Sequence, residues 1–232
     1  EFETKLFDLP EGVYTCLIEN EDCKEQILTP GMDDEIFSRT KVPMTKNEVR
    51  VLSISRLELT KKAVVYDVGS GTGSVSAECA RLSPDIVVFA IEQKEEAANL
   101  TKENAIRLGL SDQIMVINKK APEGFEELPT PTHVFIGGSS GALSDILSAI
   151  QKKLIVKENT KGVRVVINAV SLETIAQITK LIQTYPVKHV QLTQIQASRA
   201  HKLGSYNLMQ AQNPVLIASF NLLPDDKMEA DE

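Results

Sequence analysis

The stretch "VVYDVGSGTGSVSAECA", residues 64–80, constrains the fold more than any other. An apolar run ends in an acid, three glycines follow at every second position, and a helical pattern begins at once. Glycine adopts positive φ readily and lets another group approach the backbone without meeting a Cβ. A strand, a tight turn and a helix in this order open a parallel α/β unit. Its turn then lies at the carboxyl edge of the sheet, where open α/β folds bind their ligands. Glu92 ends the next strand pattern, "IVVFAIE", nineteen residues after Gly73. An acid there can bond both hydroxyls of a ribose, and turn and acid together predict a nucleoside-bearing cofactor.

The alternation continues down the chain. "QIMVIN", "THVFIGG" and "GVRVVINAV" read as further strands. Helical spacing joins Val75, Cys79 and Leu82, and it joins Leu143, Ile146, Leu147 and Ile150. A helix from about Lys94 to Leu108 is closed by Gly109 as its C-cap. After the pattern "VSLETIAQITKLIQTY", two longer strand patterns, "VKHVQLTQIQAS" and "PVLIASFN", can pair antiparallel. Strands alternating with helices predict an α/β fold, a mostly parallel sheet covered on both faces. Ahead of the first strand, "MTKNEVRVLSISRLEL" reads as a helix, and Thr45 with Glu48 supplies a T-x-x-E capping box.

The glycine spacing decides between cofactors. A dinucleotide site wants G-x-G-x-x-G/A with a pyrophosphate at the helix N-terminus. Here Ser74 holds the position of the third small residue, the glycines run G-x-G-x-G, and Asp67 precedes them. An acid sits poorly beside a pyrophosphate and suits the cationic ammonium and sulfonium of S-adenosylmethionine.

Composition bounds the rest. The chain has 232 residues, 42% hydrophobic, enough for one large domain with a substantial core. Its apolar runs are strand-sized, which predicts no membrane span, and the amino terminus lacks the apolar segment of a signal peptide. Cys16, Cys23 and Cys79 have no metal-ligand spacing and read as reduced thiols of a cytoplasmic protein. His133, His189 and His201 are scattered, so no metal site is expected. A net charge of −7 argues against general nucleic-acid binding. The charge is uneven: residues 1–35 hold eleven acids and two bases, a balance of −9, whereas residues 36–62 hold seven bases and two acids, a balance of +5. A basic segment on an acidic protein suits an anionic small molecule. Three units follow: an acidic extension over 1–35, a main domain over 36–223 and a polar tail over 224–232.

"YDVGSGTGSVSAECA" with "FAIE" resembles the class I S-adenosylmethionine-dependent methyltransferases, whose mostly parallel seven-stranded sheet ends in a reversed last strand. Four more segments, "PGMDDEIFSRTKVPMTKNEVR", "HVFIGGSSG", "VVINAVSLET" and "QIQASRAHKLGSYNLMQAQNPVLIAS", resemble the precorrin C15-methyltransferase/decarboxylase family of cobalamin biosynthesis. That family also forms the C-terminal half of precorrin-6Y C5,15-methyltransferases. The resemblance covers about residues 29–221 and implies an anionic tetrapyrrole acceptor and a homotetramer. Residues 1–30 are similar to the tail of a preceding C5-methyltransferase, so a fused or separate C5-methylating partner and a plain acidic extension both stay open.

The resemblance implies cofactor contacts from Thr45, from the turn Gly69, Ser70, Gly71, Thr72 and Gly73, from Glu92, and from the backbone of Ala121, to which the charge argument adds Asp67. Where the family has an acid before that alanine, this chain has Lys120 in "NKKAP". Acceptor-positioning candidates are Gly137, Gly138 and Ser139 at the end of the fourth strand and Asn168 at the end of the fifth. Arg39, Lys41, Lys46, Arg50 and Arg199, with Lys202 and the lower-ranked His201, are candidate partners for substrate carboxylates. Three competing functions stay in view: a methyltransferase acting on RNA or another small molecule, a non-catalytic cofactor-binding domain, and an oxidoreductase. An aromatic content of 5% with no Trp counts against RNA, and the glycine spacing counts against the oxidoreductase.

Overall fold

In the computed structural model, which describes residues 12–13, 29–156 and 162–225, the alternating patterns close into one seven-stranded sheet covered on both faces. β1 (Val64–Val68), β2 (Val87–Ile91), β3 (Ile114–Ile117), β4 (His133–Ile136) and β5 (Val163–Ala169) run parallel. β6 (Val187–Ile195) and β9 (Val215–Leu222) complete the order β3-β2-β1-β4-β5-β9-β6, with β9 antiparallel to both of its neighbours. The reversed last strand expected from "PVLIASFN" is thus present. The strand order turns back between β1 and β4, which opens a crevice beyond their carboxyl ends.

The two-residue period of the strands sorts side chains between two cores. Tyr66, Val68, Phe89, Ile91 and Ile136 pack with α4 (Leu143–Val156) and α5 (Leu172–Thr184). Val65, Val88, Ala90 and Phe135 pack on the other face with α1 (Asn47–Leu57), α2 (Ser74–Ala80) and α3 (Glu95–Arg107). Leu143, Ile146, Leu147 and Ile150 are all buried, as their spacing predicts. Leu82 is not: α2 stops at Ala80, and Leu82 lies beyond it, exposed. Of the cysteines, Cys79 is buried and free, and burial pushes its thiol pKa up. Cys16, Cys23, most of the extension over 1–35 and the end of the tail lie outside the described residues.

Residues 29–35, which the charge pattern places in the extension, are built into the domain. Arg50, on α1, is fully buried and gathers them. Its Nη1 donates to Asp34 Oδ1 at 3.1 Å and to the Thr45 carbonyl at 2.8 Å, its Nε to Glu78 Oε1 at 3.3 Å, and its Nη2 to the Met32 carbonyl. The backbone amides of Gly31 and Met32 donate to the same Glu78 oxygen at 2.8 and 2.6 Å. The guanidinium lies 5.0 Å above the Phe37 ring. Arg50 is therefore a buried structural anchor that lines neither recess of the cleft, contrary to the sequence expectation.

The capping box also fails to form. Lys46, not Thr45, is the N-cap of α1 and makes no side-chain cap. Asp34 accepts the Asn47 amide at 3.0 Å instead, a cap supplied from thirteen residues away. Glu48 is drawn off by Arg199, which binds it through Nε at 2.8 Å and Nη2 at 2.6 Å and reaches Asp34 at 2.9 Å through Nη1. Arg199 belongs to a feature the sequence patterns left unassigned, a hairpin of β7 (Ser198–Leu203) and β8 (Tyr206–Ala211) outside the main sheet.

Removing one member of a buried ion network leaves its partners uncompensated, at a cost of about 3–5 kcal/mol. Arg50→Met is expected to lower stability by that amount, read as a reduced urea midpoint at constant slope. Adding Asp34→Asn and Glu78→Gln should recover part of the loss, because the stranded charges go with it.

Candidate active site

The glycine turn joins the carboxyl end of β1 to α2, and each glycine is demanded by a different neighbour. Gly69, Gly71 and Gly73 have φ of +73°, +59° and +73°. A Cβ on Gly69 would meet the Gly138 carbonyl oxygen at 2.6 Å, one on Gly71 the Pro43 carbonyl oxygen at 2.8 Å, and one on Gly73 the Thr101 methyl at 2.7 Å. The turn is therefore pressed between the loop after β4, the segment before α1, and α3. Nothing larger than glycine fits in that backbone conformation.

Four of the five amides from Gly69 to Gly73 are committed inside the protein. Those of Gly69 and Ser70 donate to the Ile91 carbonyl at 2.8 and 3.3 Å, and that of Gly73 to the Ser70 carbonyl at 2.8 Å. The Gly71 amide donates to Glu92 Oε2 at 3.1 Å, while Glu92 Oε1 accepts from the Lys94 amide at 2.9 Å. A phosphate cradle needs free amides and a positive local field. Here a carboxylate already occupies the turn, so an anion approaching the Gly71 backbone would meet a like charge.

A second acid lies behind the turn. Asp67 is buried, and its Oδ2 accepts from Ser76 Oγ, whereas Oδ1 has no hydrogen-bond partner. Burial raises its carboxyl pKa to about 6, against an opposing pull from the Ser76 bond and a smaller upward push from Glu92. The sequence reading sets Asp67 against the ligand's positive groups; the structure places it one layer beneath the turn, not on the cleft wall. Thr72 is likewise buried, its hydroxyl without a partner, and Ser70 Oγ meets Thr101 Oγ1 at 3.2 Å. The turn's side chains thus serve as scaffold, and its bare backbone faces outward.

Beyond the turn lies a cleft with two recesses that share Pro43, Gly69 and Gly137. The first, about 400 Å³, has apolar walls from Val68, Ile91, Ala97 and Ala121, with Glu92 at its floor and Lys41, Lys94, Lys119 and Lys120 lining it. Gly138 and Ser139 border it too. The second, about 410 Å³, is lined by Thr45, Lys46, Ser70, Asn168, Val170 and Asn213 among others. Twelve of the predicted site residues thus reach the cleft: Lys41, Thr45, Lys46, Gly69, Ser70, Gly71, Glu92, Ala121, Gly137, Gly138, Ser139 and Asn168.

Other predicted residues do not converge there. Arg39 is exposed and lines neither recess, and Arg199 is committed to Glu48 and Asp34. Its guanidinium pKa is raised, first by the Glu48 bond. His201 and Lys202 stand exposed on the hairpin. Sequence reasoning missed Ser53, whose hydroxyl lies 2.9 Å from Asn168 Nδ2, and Gln93, whose Nε2 donates to Ser140 Oγ at 2.7 Å across the cleft mouth. Ser53 sits mid-helix and carries no motif, so no local signal marks it. Gln93 directly follows Glu92 and could have been flagged by that neighbour.

The residues present fit an adenosyl sulfonium cofactor: bare backbone at Gly69 and Gly71, a held carboxylate at the end of β2 and an apolar slot beside Ala97 and Ala121. Residues 35–221 match a family whose description is "Precorrin methyltransferase domain". The chain is 38% identical over 191 residues to a probable cobalt-precorrin-6B C(15)-methyltransferase (decarboxylating) of Pyrobaculum calidifontis, covering 82% of this chain and 94% of that one. It is similar to the crystal structure of a precorrin-6Y C5,15-methyltransferase from Geobacter metallireducens, with a TM-score of 0.74 and 30% identity over 83% of this chain and 96% of the other. A Thermotoga maritima S-adenosylmethionine-dependent O-methyltransferase shares the fold alone, with a TM-score of 0.65 at 18% identity over 81% of this chain and 69% of that one. The sheet and turn are thus those of a class I methyltransferase.

Because Asp67 titrates higher when folded, its contribution to stability is full below the unfolded value of 3.8 and is lost as pH rises through about 6. Asp67→Asn should therefore remove a fall of about 1–3 kcal/mol across that window. The check is the difference between wild-type and variant unfolding free energies, measured by denaturant at half-unit pH steps.

Proposed function

This chain belongs to the precorrin methyltransferase domain family, and we propose that it methylates C15 of a precorrin tetrapyrrole and decarboxylates an acetate arm of the same substrate, in cobalamin biosynthesis. The observation that carries the cofactor half of this reading is the turn whose amides are held by Ile91, Ser70 and Glu92. A turn so filled repels a pyrophosphate and accepts a sulfonium. S-Adenosylmethionine supplies an electrophilic methyl group, and the work left to the chain is alignment, exclusion of water and charge balance.

In this reading Glu92 bonds the ribose, Ala121 and Ala97 flank the adenine, and Gly69 and Gly71 give the cofactor its bare approach. Gly137, the residue after β4, borders both recesses. The acceptor enters the second recess, beside Thr45 and Asn168. A tetrapyrrole meso carbon is nucleophilic through its conjugated nitrogens, so no strong base is needed. In the decarboxylation the bond to the carboxylate carbon breaks, the electron pair passes into the macrocycle, carbon dioxide leaves and a proton returns. The chain's part there is to hold the carboxylate out of the ring plane.

The finer readings follow from the same premise. The enzyme is cytoplasmic, acts on an anionic tetrapyrrole rather than a nucleic acid, and has a fused or separate C5-methylating partner acting on the same macrocycle. It assembles as a homotetramer. The β7–β8 hairpin supports the assembly: Leu203, Tyr206, Leu208 and Met209 are 50–72% exposed on a ribbon that stands off the main sheet. Two-stranded ribbons are marginal alone, and exposed apolar side chains of this density mark an interaction surface.

S-Adenosylmethionine and S-adenosylhomocysteine should each raise the melting temperature, and NAD should not, since only ligands of the native state stabilise it. Glu92→Ala should weaken S-adenosylhomocysteine binding by about 1–3 kcal/mol in calorimetry. No shift up to millimolar cofactor would favour a non-catalytic domain. For assembly, Tyr206→Lys combined with Met209→Lys should leave the fold intact by circular dichroism. Light scattering should then report the 25.5 kDa monomer in place of an oligomer.

A further inference from the structure

We propose that Lys46 and Asn168 form a carboxylate subsite in the second recess, and that Ser53 sets the orientation of the Asn168 amide. The proposal rests on the acceptor being an anionic tetrapyrrole. It adds which side chains take one of its acid arms.

The first observation is a charge imbalance. At the start of α1, four cations (Lys46, Arg50, Arg81 and Arg199) pair with three carboxylates (Asp34, Glu48 and Glu78), one cation more than the carboxylates they pair with. The exposed Asp33 and Glu35 border the cluster on the Arg199 side. Five of its ion pairs lie between 2.6 and 3.3 Å, but Lys46 stands 3.9 Å from Asp34, beyond hydrogen-bond length. Asp34 is already occupied by Arg50, Arg199 and the Asn47 amide. The least engaged of these cations is therefore Lys46, which is also, among the described residues, the charged residue that lines the recess.

The second observation is where that lysine sits. It is the N-cap of α1, an eleven-residue helix, and the positive end of the helix dipole disfavours a cation there. Capping would be better served by Ser, Thr, Asp or Asn, and Lys46 makes no cap bond. A lysine placed against the local field, with its nearest acid taken by others, is poised for an incoming anion.

The third is the fixed amide across the recess. Ser53 is fully buried, and its hydroxyl donates to the Val49 carbonyl at 2.7 Å. A hydroxyl has one proton, for which the Val49 carbonyl and Asn168 Oδ1 at 3.1 Å compete, and it accepts from Asn168 Nδ2 at 2.9 Å. One Nδ2 proton of Asn168 remains for the recess. A carboxylate held by that N–H and by the Lys46 ammonium satisfies both, and charge-assisted bonds of this kind are the strong ones.

The test uses the full chain with S-adenosylhomocysteine bound, and uroporphyrin I, an octacarboxylate tetrapyrrole, as probe, titrated by fluorescence. Lys46→Gln and Asn168→Asp should each weaken the probe about tenfold or more, with S-adenosylhomocysteine affinity unchanged within twofold. Lys46→Arg should retain most of the affinity. Lys46→Gln should also flatten the salt dependence of probe binding, which a merely structural lysine would not do. Ser53→Ala should weaken the probe several-fold, and Lys102→Gln on α3, exposed and lining neither recess, should leave it unchanged. Wild-type affinity in both Lys46→Gln and Asn168→Asp, or no binding of the probe by the wild type, overturns the subsite. C15 methylation of the precorrin is assayed separately: its absence in a wild type that binds both ligands overturns the proposed reaction while the subsite stands.

Discussion

The cleft depends on the burial of one guanidinium. Arg50 has no exposed surface and four protein partners, and three of them, Met32, Asp34 and Thr45, lie on the segment that runs from residue 29 into α1. The fourth, Glu78, is on α2, the helix that follows the glycine turn. One side chain thus clamps the cleft's outer wall to the helix behind the cofactor site. Between those two parts Pro43 presses its carbonyl oxygen against Gly71. A charge array of this sort holds only as a set, because each member left alone in the interior would face the full cost of desolvation.

The glycine turn shows how packing and ligand choice come from one geometry. Each glycine is required by a protein neighbour before any ligand is considered, and the same close approach commits the turn's amides to Ile91, Ser70 and Glu92. With those donors used, Glu92 sets a negative charge at the turn itself, while Lys41, Lys94, Lys119 and Lys120 also line the recess. Asp67, one layer down with its carboxyl pKa raised by burial, adds to that sign when ionised. Preference for a sulfonium over a pyrophosphate is therefore a property of the backbone bonding pattern, of which the spacing G-x-G-x-G is the trace.

Where sequence reading failed, it failed on charge. Thr45 and Glu48 have the spacing of a capping box, yet Asp34 reaches Asn47 first and Arg199 takes Glu48. Arg50 and Arg199 were grouped with Lys41 and Lys46 as one basic patch for a substrate, and the fold divides that group. The two arginines are held by carboxylates, whereas Lys41 and Lys46 line the cleft. Guanidinium forks suit paired carboxylates in a fixed interior, and ammonium groups suit a wet rim. The β7–β8 hairpin carries no two-residue alternation, because almost every side chain on both of its faces is exposed.

What the sequence by itself determined was short-range. Apolar period placed the strands and helices, positive φ demanded glycine at residues 69, 71 and 73, and Glu92 and Asn168 were placed because each closes a strand pattern at the edge where ligands bind. Those signals depend on neighbours a few residues away. Only the tertiary structure decided which charges are free. The Arg199–Glu48 and Arg50–Glu78 pairs join residues 151 and 28 positions apart, and Ser53 meets Asn168 across 115. Coulomb attraction is indifferent to separation along the chain, so the partner of a charge is settled when the sheet closes and not before.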